Sequence, residues 1–134
     1  MITLFENFNY DYTNKNVTIG DVYSENDIYP YIQKLHRNED DFYDGDIGDR
    51  IEEFPKYKVA EIPIDKINMD EYELDDDYVE EYVEKYEELG TYPPIVLGEY
   101  EYNWGYNIID GTHRANALKD AGLKSIICFV GLPL

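Results

Sequence analysis

Between Tyr92 and Gly131 the hydrophobic pattern changes period repeatedly, and this limits the possible folds more than any other feature of the chain. YPPIVLGEY (92–100) is a short apolar run after a proline pair, which predicts a buried strand. EYNWGYNII (101–109) alternates, with Trp104, Tyr106 and Ile108 on one face. It predicts a second strand, joined to the first through a turn near Glu99–Asn103. From Thr112 to Ala121 the spacing is helical, with Ala115, Leu118 and Ala121 inward and Gly122 as the stop. SIICFVG (125–131) is rich in β-branched and aromatic residues and reads as a last strand.

Upstream, Val79, Tyr82, Val83, Tyr86 and Leu89 form one apolar stripe, predicting a helix from about Asp77 to Leu89. Asp75, Asp76 and Asp77 suit its positive end and Gly90 its C-terminus. KVAEIPIDKI (58–67) reads as a strand that Pro63 confines to an edge or an end. The order is β-α-β-β-α-β, an α+β fold with a small mixed sheet and packed helices over 56–134. Residues 1–55 read as a partly helical N-terminal extension. In it Ile28, Tyr31, Ile32 and Leu35 recur at helical spacing, with Asp27 as N-cap and Pro30 in the first turn. EDDFYDGDIGD (39–49) is a loop, and Ile47, Ile51 and Phe54 suit a short helix ending before Pro55.

Charge narrows the function classes. The chain has 30 acids against 11 Lys plus Arg, a formal net of −19, yet 15 Tyr, 5 Phe and one Trp are too many for a solvated acidic tail. Generic binding to nucleic acid requires Lys and Arg at the phosphates, so this balance argues against it. Residues 70–101 hold 13 Asp plus Glu and one Lys, whereas 110–134 hold two Asp against Arg114, Lys119 and Lys124. The one Cys excludes an internal disulfide, no apolar run is long enough for a membrane span, and the N-terminus carries no secretory pattern. The expected location is cytoplasmic.

The segment IIDGTHRANALKDAG (108–122) leads a strand into a helix through Asp110, Gly111, Thr112, His113 and Arg114. A helix start offers unpaired N–H groups and partial positive charge. Gly111 lets an anion approach the backbone, Thr112 adds a hydroxyl, and His113 and Arg114 add further donors. This pattern predicts a phosphate site; it equally suits a plain strand-to-helix turn, with Thr112 as N-cap and Arg114 paired to a carboxylate.

PIDKI, the acidic helix, YPPIVLGEY, the loop with Gly111, His113 and Arg114, and ICFV follow one another as in the ParB/sulfiredoxin superfamily, which residues 57–131 resemble. The resemblance implies a loop that binds nucleotide phosphates. Members include CTP-dependent partition clamps, sulfiredoxins, free-amino-acid kinases and nucleases. Thr112 stands where a sulfiredoxin needs its nucleophilic Cys, and Cys128 lies in a predicted buried strand. A partition protein continues into a helix-turn-helix, whereas this sequence stops at Leu134. The implied activity is therefore ATP- or CTP-dependent phosphoryl transfer or hydrolysis. ATP, ADP or CTP would be held by Gly111, Thr112, His113 and Arg114, with Mg²⁺ at Asp110. Asp110 and His113 are the catalytic candidates in the loop. The kinase-like relatives draw an acidic base from near the end of the first strand, where Glu61, Asp65, Asp70 and Glu71 lie; Glu61 and Asp70 are the candidates taken from them.

A second functional class rests on the acid itself. Glu80, Glu84 and Glu87 share the polar face of the predicted helix, and the segment around them is rich in Tyr. Such a surface would suit a phage-encoded inhibitor that mimics nucleic acid and occupies a basic host protein. A ParB-like nuclease is a further alternative. The remaining features read as structural: His36 at a helix end, the Tyr78, Tyr82 and Tyr86 stripe, and Trp104 as core or pocket wall.

Overall fold

The computed structural model describes residues 12–36, 49–69 and 74–133 and builds them around one mixed sheet. In chain order the elements are β1 (Val22–Ser24), α1 (Glu25–His36), β2 (Lys56–Pro63), α2 (Asp76–Leu89), β3 (Ile95–Glu101), β4 (Gly105–Asp110), α3 (Thr112–Asp120) and β5 (Ser125–Leu132). A helical turn covers 49–52, and a single 3-10 turn, Ile64–Lys66, follows β2. The strand order is β1-β2-β5-β3-β4, antiparallel except where β3 runs parallel to β5. This is the α+β fold expected. Among these residues no helix is long and apolar enough to cross a membrane.

Both faces of the sheet are covered, which explains the uninterrupted apolar runs in β3 and β5. One face presents Tyr57, Val59, Val96, Ile109 and Phe129 to α1 and to Ile51 and Phe54. The other presents Ile62, Ile95, Leu97, Ile126 and Cys128 to Tyr92, Ala115 and Leu118. The segment before residue 56 thus adds a strand to the sheet and a helix to its face. Tyr12, Tyr23 and Tyr31 all meet the Phe129 ring edge-on, with centroids 5.6, 5.4 and 5.3 Å away.

Local chemistry sets the helix ends. At α1, Asp27 lies inside the first turn and not at the N-cap: its carboxylate accepts from the Ser24 N–H and hydroxyl, both at 3.1 Å. Pro30 sits inside α1, beyond the first turn expected for it. At α2, the Asp75 carboxylate accepts from the Asp77 and Tyr78 N–H groups, and Gly90 closes the helix at φ 68°. The strand expected over 58–67 stops at Pro63, and β1 shields its outer edge. Trp104 corrects the expected strand face: it lies in the β3–β4 turn and is exposed. The 39–48 part of the predicted loop lies outside the described residues.

Two buried phenols make the fold sensitive to base. The Tyr57 hydroxyl donates to the Ile51 carbonyl at 2.7 Å, and the Tyr92 hydroxyl accepts from the Ile127 N–H at 2.9 Å. Burial pushes both phenols up, Tyr92 to about 12, with Glu25 and Glu53 adding to the effect at Tyr57. In the unfolded chain a phenol ionises near pH ~10. Above that pH the unfolded state binds fewer protons than the folded state, so stability falls as pH rises. The urea midpoint is expected to hold up to about pH 10 and to drop between about 10 and 12, with a shallower drop in Tyr57→Phe. A midpoint that stays flat to pH ~12 would contradict this linkage.

Candidate functional site

The β4–α3 junction depends on its glycine. Gly111 is the N-cap of α3 at φ 109° and ψ 28°, a conformation that side chains rarely adopt, and it makes no side-chain cap. A Cβ built there would lie 2.9 Å from both Arg114 Nη2 and Ile95 Cδ1. The first hydrogen bond of the helix runs from the Ala115 N–H to the Gly111 carbonyl at 2.8 Å. No acid occupies the first turn, in contrast to α1 with Glu25 and Asp27 and α2 with Asp76 and Asp77. The first turn of α3 thus carries no acid of its own, and Asp110, just before the N-cap, directs its carboxylate to Arg114.

Arg114 turns inward beneath this loop. Its side chain is only 3% exposed. Nε donates to the Pro93 carbonyl at 3.3 Å, and Nη2 donates to the Pro94 carbonyl at 3.2 Å and to Asp110 Oδ2 at 3.3 Å. The Tyr31 hydroxyl also donates to Pro94, at 2.8 Å. Burial, the largest influence, opposes the charge on Arg114, but Asp110, through its charge and hydrogen bond, together with Tyr31 and Tyr82 holds the guanidinium above its ordinary value. The two donors expected at a phosphate, Arg114 and its neighbour His113, are thus engaged with the protein. His113 Nε2 accepts from the Asp75 N–H at 3.0 Å, and its ring meets Tyr78 at 5.7 Å. It ties the start of α2 to the start of α3.

A cleft of about 330 Å³ opens beside Thr112. Its walls come from distant parts of the chain: Arg50 and Glu53, Asn68, Glu99 and Glu101, and Asn107. Arg50 Nη2 donates to the Ile108 carbonyl at 2.7 Å. Sequence reasoning passed over Arg50, because nothing local links it to a strand end 58 residues further along. The Asn68 and Asn107 amides contact each other at 3.4 Å on the opposite side.

Glu61 lies on β2, three strand spacings from β4, which puts it about 15 Å from the loop. Its carboxylate accepts from the Ser125 hydroxyl at 2.6 Å. Asp70 lies outside the described residues. Among the described residues no three His, Cys, Asp or Glu side chains gather to hold a metal ion. Cys128 is buried, with its thiol pushed well up by desolvation.

The family described as the ParB N-terminal domain matches residues 48–132. Similar solved structures include sulfiredoxin from Arabidopsis thaliana (28% identity, 54% of this chain and 82% of that one, TM-score 0.44). The chromosome-partitioning protein ParB from Caulobacter crescentus, complexed with CTP-γ-S, is 23% identical over 57% of this chain and 44% of that one, with TM-score 0.46. A free serine kinase in complex with AMP is 25% identical over 55% and 30%, with TM-score 0.47. The chain spans less than half the length of the last two. No curated protein matches the sequence.

Proposed function

Because the chain belongs to the ParB N-terminal domain family, we propose that it binds a nucleoside di- or triphosphate by its phosphates at the start of α3. One observation carries the reading: in a protein of net charge −19, α3 begins at Gly111 with no acidic residue in its first turn. The backbone N–H groups at the N-terminus of α3 and the Thr112 hydroxyl are the donors, and Arg114 acts from below by fixing the loop. The absence of a Cβ at Gly111 leaves room for Arg114 and Ile95 to pack beneath the loop. Mg²⁺ would arrive on the nucleotide, with Asp110 as the carboxylate that would hold it. When bound, Mg²⁺ would offset phosphate charge.

Within this reading phosphoryl transfer or hydrolysis needs a proton acceptor. Asp110, His113, Glu61 and Asp70 are the proposed groups. Glu61 reaches the reacting phosphate only if the nucleotide extends across the end of the sheet. Release of inorganic phosphate from ATP or CTP, and its loss in Glu61→Gln, would establish that step.

Binding is tested by thermal unfolding with ATP, ADP and CTP at millimolar concentration with Mg²⁺. At about a hundredfold excess over Kd the melting temperature is expected to rise by roughly 5–10 °C. Thr112→Asp is the informative variant. A carboxylate there suits the helix dipole, so the unliganded protein should melt no lower than wild type while the nucleotide shift disappears. An absent shift in wild type with all three nucleotides would refute the reading.

The acidic-partner reading has its own support: Glu80, Glu84 and Glu87 are all exposed along α2. Binding to a basic protein that weakens on Glu80→Lys, Glu84→Lys and Glu87→Lys would establish it.

A further inference from the structure

The β3–β4 hairpin ends in aromatic side chains that the fold leaves uncovered. Tyr100, Tyr102 and Trp104 are 52%, 83% and 69% exposed. They alternate with acids in EYEYNW (99–104). A register slip between Leu97 and Tyr100 sets their direction. Tyr100 pairs with Tyr106 across the hairpin, ring centroids 5.1 Å apart, whereas Glu99 and Glu101 line the cleft.

The tip is a fixed platform. Asn103 and Gly105 adopt φ 75° and 90°, and the Trp104 N–H donates to the Glu101 carbonyl at 3.0 Å. The Asn68 N–H donates to the Tyr106 carbonyl at 2.8 Å, which fastens the hairpin to the segment after β2. Clustered exposed aromatics on a rigid support mark an interaction surface.

Charge selects the occupant. Residues 98–107 contain two Glu and neither Lys nor Arg. Carboxylates and aromatic faces both attract cations, and the carboxylates repel phosphate backbones. We propose that this hairpin tip docks a Lys- or Arg-bearing segment of a partner protein, its cationic heads lying on the exposed aromatic faces, with Glu99 and Glu101 on the cleft side adding electrostatic attraction. The aromatic face of the tip lies apart from the start of α3, whereas Glu99 and Glu101 line the cleft beside Thr112, so peptide binding is measured without nucleotide.

Trp104 is the chain's one tryptophan, so its emission reports on the tip directly. Titration with oligolysine and oligoarginine peptides at about 150 mM salt, where long-range attraction is screened, should change that emission saturably. Glu99→Gln with Glu101→Gln, and separately Tyr102→Ser, should each weaken binding by about tenfold. Glu52→Gln with Asp120→Asn, two exposed acids elsewhere on the surface, should leave it within about twofold. Equal weakening by Glu80→Gln, Glu84→Gln and Glu87→Gln together would overturn the proposal and assign the attraction to the acidic helix. Equal affinity for oligoglutamate, or no emission change, would also overturn it. So would self-association in sedimentation that Trp104→Ser removes, since a second copy would then be the occupant. The altered side chains are exposed, and unchanged melting curves confirm that the variants remain folded.

Discussion

Asp110→Ala is expected to destabilise the fold by about 3–5 kcal/mol, read by urea unfolding with circular dichroism. The substitution leaves the Arg114 guanidinium buried without its counter-charge. The guanidinium cannot easily move out, because Pro93 and Pro94 hold it from the other side. Nor does deprotonation offer relief, since arginine keeps its proton in proteins. A total stability of roughly 5–15 kcal/mol makes this a large fraction. Replacing both partners, Asp110→Leu with Arg114→Met, should cost less than Asp110→Ala alone. The proline carbonyls would then lose a donor, at about 1–3 kcal/mol, but no bare charge would remain. If the single and double variants were equally unstable, the charge would be irrelevant and only packing would count.

Phe129→Ala is expected to cost a further class of about 3–5 kcal/mol by leaving a cavity at the centre of the sheet. The ring is fully buried, and Tyr12, Tyr23 and Tyr31 converge on it. Its loss should therefore be uneven. Amides of α1 should lose exchange protection more than those of β3, because α1 packs on the Phe129 face while Ile95 and Leu97 pack on the other. Uniform loss of protection would show instead that the two faces open together. Phe129→Leu, which keeps most of the volume, should cost clearly less.

Where a local period decides the structure, the fold was legible. The stripe from Val79 to Leu89 is a helix with the expected caps, and the apolar runs beginning at Ile95 and Ser125 are strands. Local pattern was silent on β1, because Val22–Ser24 is a strand only by pairing with Lys56–Lys58. It misled at Trp104, where alternation continued through a turn. The missed cue was Asn103 and Gly105 around the tryptophan, two residue types that tolerate positive φ. At the site, the strand-to-helix loop and its glycine were legible. Pairing of Arg114 with a carboxylate was one of the two readings of the loop, but its hold on the Pro93 and Pro94 carbonyls was not legible, since these come from β3's lead-in. The cleft beside Thr112 was hidden for the same reason: its walls come from segments far apart in the sequence that only the folded chain brings together.

The strand order has a consequence for how the protein is made. β5 joins β2 to β3, so the sheet's middle member is the one synthesised last. Until residues 125–132 have emerged from the ribosome, the β1–β2 ribbon and the β3–β4 hairpin lack their bridge. Each half then exposes an unsatisfied edge and a bare apolar face. Nascent chains should consequently be at their most aggregation-prone just before that segment clears the exit tunnel, and release of β5 should close the sheet in one late step.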